Sequence, residues 1–114
     1  MTHTPAEEVQ KAFQKYGFKA GFLKLALLAM LSKGPTHGYA LMKDIESITE
    51  EGWKPSPGSI YPALRELEKE GLISPRNEGR RKTYKITPAG RITLKMALDH
   101  ASSALKQLNK LLDI

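Results

Sequence analysis

The apolar positions of the chain follow a helical period as far as Gly71, an alternating one to Thr87, and a helical one again after it. In the first stretch Val9, Ala12, Phe13 and Tyr16 recur at helical spacing behind Thr4-Pro5-Ala6-Glu7. That opening predicts a capped helix, with Thr4 as N-cap, Pro5 at the first position, Glu7 closing a capping box and Gly17 as the stop. Ala20 to Ser32 is apolar on nearly every side, which places a second helix in the middle of the core. "KGPTHG" breaks it. Thr36 can then cap a third helix that turns Leu41, Met42, Ile45 and Ile48 inward and ends near Glu51. Trp53 falls in the loop "EGWKPSPG" that follows. Ile60, Leu64, Leu67 and then Leu72-Ile73 mark one face of a fourth helix, which runs to about Glu70 and is stopped by Gly71.

Beyond Gly71, "LISPRNEGRRKTYKIT" holds two short β-prone runs, Leu72 to Ser74 and Lys82 to Thr87, joined by the turn Asn77-Glu78-Gly79. In the second run Tyr84 and Ile86 alternate with Thr83, Lys85 and Thr87, so Tyr84 and Ile86 should face the core of a two-stranded hairpin. Thr87-Pro88 repeats the cap-plus-proline signal and opens a long last helix. On it Leu94, Leu98, Ala101, Leu105, Leu108 and Leu112 recur at spacings of four, three, four, three and four, an a/d seam that a lone helix cannot bury by itself. That seam, with Val9 and Phe13 on the first helix, predicts a two-fold contact between copies of the chain.

Three helices followed by a hairpin is the element order of a winged helix-turn-helix, in which the third helix enters the major groove. The stretch "PSPGSIYPALRELEKEGLI" fits that role. With Ile60, Leu64 and Leu67 buried, Gly58, Pro62, Arg65 and Lys69 lie on the opposite face, flanked by Ser59 and Tyr61. Its first turn is small and stiff, suited to close approach to a phosphate backbone, and its free N–H groups can bind a phosphate. The helix should start between Pro57 and Ser59 with Ser56 or Ser59 as cap. Pro62 should then lie within about four positions of the start, or else kink the turn. The competing reading makes "PSPG" a stiff connection and Tyr61 a core-edge aromatic.

Charge sharpens the picture. The net charge is +6, and the segment from Arg76 to Lys95 alone carries that excess: Arg76, Arg80, Arg81, Lys82, Lys85, Arg91 and Lys95 stand against one acid, Glu78. Residues 44 to 51 hold Asp44, Glu46, Glu50 and Glu51 and no base. A one-sided basic surface is the footprint of a polyanion binder, although it also serves as a solvated face. Arg80, Arg81 and Lys82, at the hairpin tip, can clamp phosphates or enter a minor groove.

Enzymatic readings find little support. There are no cysteines, hence no disulfide framework and no thiolate metal site. His3, His37 and His100 lack metal-ligand spacing, and His37, ahead of Gly38, suits capping or packing better than base catalysis. Neither a nucleophile elbow nor a phosphate-binding loop occurs. Met30, Met42 and the aromatics fall on core faces. We expect no catalytic residues, no metal and no cofactor. "GFLKLALLAMLSKG" is about a dozen residues long, well short of the roughly 20 of a membrane helix, and "MTHTPAEEVQ" has no apolar signal-like run. A cytoplasmic protein without membrane attachment is expected.

Taken together, "GPTHGYALMKDI", Trp53, "PSPGSIYPALRELEKEGLI" and "GRRKTYKITPAGR" resemble the PadR family of transcriptional regulators over roughly Leu23 to Leu98. The resemblance implies a homodimeric winged-helix repressor with a C-terminal dimerisation helix and, in some members, a small-molecule effector, which no motif here assigns. It also implies that Ser59, Tyr61 and Pro62 lie on the DNA-facing helix and that Arg80 to Lys82 lie on the wing. The expected fold is mainly α, a winged helix-turn-helix with a two-stranded wing. Residues 1–17 form a supporting helix, 18–87 the DNA-binding domain and 88–114 the dimerisation helix. Its expected partners are double-stranded DNA, through a pseudo-palindromic operator, and a second copy. The rival reading is a winged-helix protein-docking module.

Overall fold

The computed structural model describes residues 4–12, 21–48 and 55–113. Among them are five helices and three strands: α1 (Pro5–Ala12), α2 (Leu23–Leu31), β1 (Thr36–His37), α3 (Gly38–Ile48), α4 (Pro57–Lys69), β2 (Ile73–Glu78), β3 (Arg81–Ile86) and α5 (Pro88–Leu112). Phe13, Tyr16, Gly17 and Trp53, and the side chain of Val9, lie outside the described residues. The Thr4 cap is present, its hydroxyl accepting from the Glu7 N–H at 3.2 Å.

The core forms around α2, which packs against α3, α4 and α5. Leu27, Leu28 and Leu31 meet Leu41, Met42 and Ile45 of α3, Ile60, Leu64 and Leu67 of α4, and Ile73, Tyr84 and Ile86 of the sheet. Lys24 of α2 is the polar counterpart of this packing, reaching Glu66 at 2.7 Å and Glu70 at 3.3 Å on α4. Its hydrogen bond to Glu66 holds the ammonium above its ordinary value and draws the Glu66 carboxyl below its own. Burial is the main cause that raises the Tyr84 phenol above its usual range.

Several local expectations are corrected. Thr36 does not cap α3. It lies in β1, which pairs antiparallel with β3 through Thr36↔Tyr84 and His37↔Thr83, so the backbone groups on that edge of β3 are satisfied by a third strand. The sheet therefore has three strands in the order β1-β3-β2. The strands of the hairpin are also longer than the apolar pattern indicates, because Pro75 to Glu78 pair through the backbone whatever their side chains. Their turn closes at Glu78↔Arg81, with Gly79 in the left-handed conformation (φ 63°) that glycine adopts without penalty. Ile48 is exposed rather than inward, at the end of α3, where no described element covers it. Tyr39 is likewise 61% exposed and not a core residue.

Two tight junctions set the relation between helix and wing. At the end of α4, Gly71 (φ 75°) lets the Leu72 N–H return to the Leu67 carbonyl and its own N–H to the Glu68 carbonyl, a Schellman closure. Thr87 then caps α5 by accepting from the Gly90 N–H, while its hydroxyl donates to the Gly71 carbonyl at 2.6 Å. Its own N–H donates to the Leu72 carbonyl at 3.1 Å. A Cβ at position 90 would run into that same Leu72 oxygen and lie 2.7 Å from Ile86 Cγ1, so only glycine fits there.

Candidate nucleic-acid interface

The fourth helix begins as a capped, proline-started turn. Ser56 is the N-cap, its hydroxyl accepting from the Ser59 N–H at 3.2 Å and donating to Ser59 Oγ at 3.1 Å. Pro57 occupies the first helical position. Pro62 is therefore the sixth residue of α4 and lies inside the helix, two positions further in than the sequence pattern allows. It is tolerated because it stands on the exposed face, where a carbonyl that loses its N–H partner still meets solvent.

Burial divides α4 cleanly. Ile60, Ala63, Leu64 and Leu67 are buried, while Ser56, Gly58, Ser59, Tyr61, Pro62, Arg65 and Lys69 are all exposed. Three acids also ride on the helix, and each meets a lysine of a neighbouring element: Glu66 and Glu70 meet Lys24, and Glu68 meets Lys82 at 3.5 Å. Their negative charge is offset at the flanks, which leaves Arg65 and Lys69 to set the sign of the exposed face.

A cleft of about 590 Å³ runs between the start of α3, the middle of α4 and the wing. It brings Tyr61 of α4 together with Arg80, Arg81, Lys82 and Tyr84 of the wing, which are distant from it in the chain. The Lys82 ammonium lies 5.7 Å from the centre of the Tyr84 ring, and Lys82, Arg80 and Arg81 are all exposed. Ser56, Gly58, Ser59, Pro62, Arg65 and Lys69 lie outside this cleft, on the exposed α4 face. The α5 seam takes no part in the cleft.

Other cleft residues were not anticipated as site residues. His37 comes from β1, its Nδ1 within 3.3 Å of Thr83 Oγ1, which ties the strand to the wing. Tyr39, at the start of α3, carries the Lys43 ammonium 5.4 Å from its ring centre. Gly38 lies against Tyr61: a Cβ there would come within 2.9 Å of Tyr61 Cε1. The signal in the sequence is that Tyr39 and Lys43 sit four apart, off the Leu41, Met42 and Ile45 face.

A shallow basic groove with three tyrosines, beside a helix whose front turn is nearly free of bulk, suits a nucleic-acid backbone with bases in reach. Among the described residues no His/Asp/Glu cluster could hold a metal, and no helix is long and apolar enough to cross a membrane.

Comparison with known proteins points the same way. A profile of the transcriptional regulator PadR-like family matches residues 27–96. Transcriptional regulator YqjI of Escherichia coli is 43% identical over 74 residues, covering 64% of this chain and 36% of that protein. The chain thus matches about a third of that relative's length. Among solved structures, a transcriptional regulator from Clostridium thermocellum shares 31% identity at a TM-score of 0.73, covering 79% of this chain and 92% of the other. Bacillus subtilis PadR, solved in complex with operator DNA, shares 32% identity at a TM-score of 0.60 over 67% of this chain and 46% of its own. These relatives are regulators of transcription, not enzymes.

Proposed function

The chain belongs to the transcriptional regulator PadR-like family, and from that premise we propose that it is a sequence-specific repressor that binds a pseudo-palindromic operator as a homodimer. The observation that carries this reading is the shared surface of α4 and the wing. The exposed face of α4 opens on a turn with almost no side-chain bulk, and it borders a tyrosine-lined cleft flanked by Arg80 and Arg81. The operator complex of the Bacillus subtilis relative supports DNA as the partner.

In this reading Ser59, Tyr61, Pro62 and Arg65 meet base edges or the groove wall, and Ser56, Gly58 and Lys69 approach phosphates. Arg80, Arg81 and Lys82 supply charge from the wing. Residues 18–87 form the DNA-binding unit, 1–17 support the dimer and 88–114 form its main contact. The protein works in the cytoplasm, where its operator is.

A gel shift with salt titration on mixed duplex DNA tests this. Binding that weakens steeply with salt is expected, as for any protein that displaces counterions from phosphates. Absence of salt-sensitive binding to any duplex would instead favour a protein-docking module.

A further inference from the structure

We propose that Glu68 is a positioning residue that sharpens DNA specificity: its carboxylate withholds the Lys82 ammonium from random DNA and yields it to a phosphate on the operator. The proposal rests on the DNA-binding reading above and deepens it, because it says when one of the wing charges is delivered.

Arg80, Arg81 and Lys82 all line the cleft. Among the described residues, Lys82 is the one of the three that an acid holds, Glu68 Oε2 lying 3.5 Å from its Nζ. Tyr61, Arg65 and Glu68 follow one another at four and three residues, so they share one flank of α4, the flank that meets the wing. Lys82 lines the cleft and Glu68 does not, so the carboxylate holds the ammonium from outside it. The Tyr84 ring beneath is close to both charges. Its phenol, raised chiefly by burial, is lowered by Lys82 and raised by Glu68.

A lysine and its carboxylate partner together carry no net charge, and a lysine that stays paired displaces no counterion from DNA. A duplex at the cleft therefore meets Arg80 and Arg81 as net charges but Lys82 as half of a neutral pair. The two side chains are 45% and 33% exposed, so water screens the pair, which contributes about a fivefold factor at most. That magnitude decides what the pair does. A phosphate held within hydrogen-bonding reach offers Lys82 a stronger, charge-assisted bond than the screened pair does. A phosphate that merely passes does not, since a protein on random DNA slides and hops. On the operator, seating of α4 fixes the backbone against the wing, and Lys82 leaves Glu68 for it. Elsewhere the pair stays closed.

The test compares wild type with Glu68→Gln, Lys82→Gln and the double variant over a range of salt. Each is titrated with a random duplex and with an operator selected from random sequences. Glutamine keeps the size of Glu68 and removes its charge, and thermal melts confirm that the variants are folded. Glu68→Gln should bind the random duplex about 3- to 5-fold more tightly, with a log–log salt slope steeper by ~0.9, one more phosphate neutralised. Its slope on the operator should equal that of wild type. Lys82→Gln should show the converse, a slope flatter by ~0.9 on the operator and unchanged on random DNA. In the double variant the extra slope on random DNA should vanish, which traces it to Lys82.

A Glu68→Gln protein with the wild-type slope on random DNA overturns the proposal. Weaker binding to both duplexes also overturns it, since that marks Glu68 as a structural brace. Equal steepening on both does the same, because Lys82 is then withheld everywhere. If Glu68→Gln does not fold, Lys82→Gln decides alone: equal slope changes on the two DNAs, or none, overturn the proposal. All these outcomes leave DNA binding intact. If wild type binds no duplex or selects no sequence, the proposal falls together with the repressor reading.

Discussion

A single hydrogen at Gly90 decides how α5 meets the rest of the fold. The obstacle to any side chain there is the Leu72 carbonyl, which is fixed by the Thr87 N–H and cannot rotate aside. In an open helix alanine would stabilise relative to glycine by about 1 kcal/mol. Here the collision is with backbone, so overpacking wins, and Gly90→Ala should destabilise by about 1–3 kcal/mol. A thermal melt checks this, and a variant that melts at or above wild type would show that the α4–α5 junction is slack. Ser59 and Tyr61 are tested through binding. Ser59→Ala or Tyr61→Phe should cost operator binding more than binding to random DNA, by ~1–3 kcal/mol if the hydroxyl bonds to a base edge. Equal losses on both DNAs would assign these residues to positioning. Tyr61 is 38% exposed and rests on Gly38, so a fall in stability with unchanged DNA discrimination would mark it as a packing residue instead.

At the scale of the element, the wing and α4 act as one rigid pair. Glu68 and Lys82 meet across them, Tyr84 lies buried beneath, and the Schellman closure leads directly from α4 into β2. Arg80 and Arg81 project from this pair without altering it. Arg80→Ala with Arg81→Ala should therefore weaken binding to all duplexes alike and flatten the log–log salt slope by ~0.9 for each phosphate no longer neutralised. An unchanged affinity and slope would take the wing off the DNA. These elements also show what the sequence makes legible. The faces of α4 and β3 could be read because burial imposes a period on side chains, and the caps at Ser56 and Thr87 because side chains themselves do the capping. β1 could not be read, since two residues carry no period and their pairing with β3 is made by backbone groups. The depth of Pro62 in α4 was missed for a related reason: helix rules penalise the lost N–H without regard to whether the orphaned carbonyl faces solvent. The cleft residues Gly38 and Tyr39 were missed because their role depends on a neighbour 23 residues from Gly38 in the chain, Tyr61, which only the fold brings near.

For the whole molecule, the telling surface is the outer length of α5. Only Gly90 and Leu94 of this helix are buried. Leu98, Leu105, Leu108 and Leu112 of the seam are more than half exposed, as are Ile92, Met96 and Leu111. The seam leucines fall on one face of the helix, an apolar stripe that a soluble monomer does not normally leave open. The regular four- and three-residue spacing of the seam matches what a second helix of the same kind would fill. A two-fold pairing of α5 helices, with α1 alongside, would set two copies of α4 to read half-sites about one helical turn, ~34 Å, apart. Leu105→Glu probes this directly, because two-fold symmetry brings both new carboxylates to the same poorly hydrated seam, where unpaired charge is costly. Leu105 makes little contact within its own subunit, being 62% exposed, so the substitution should spare the fold of the monomer. Sedimentation or light scattering should then report a monomer, and operator binding should collapse while weak binding to random DNA survives. A Leu105→Glu protein that remains folded and dimeric would remove α5 from the interface and leave α1 as the element that joins the two copies.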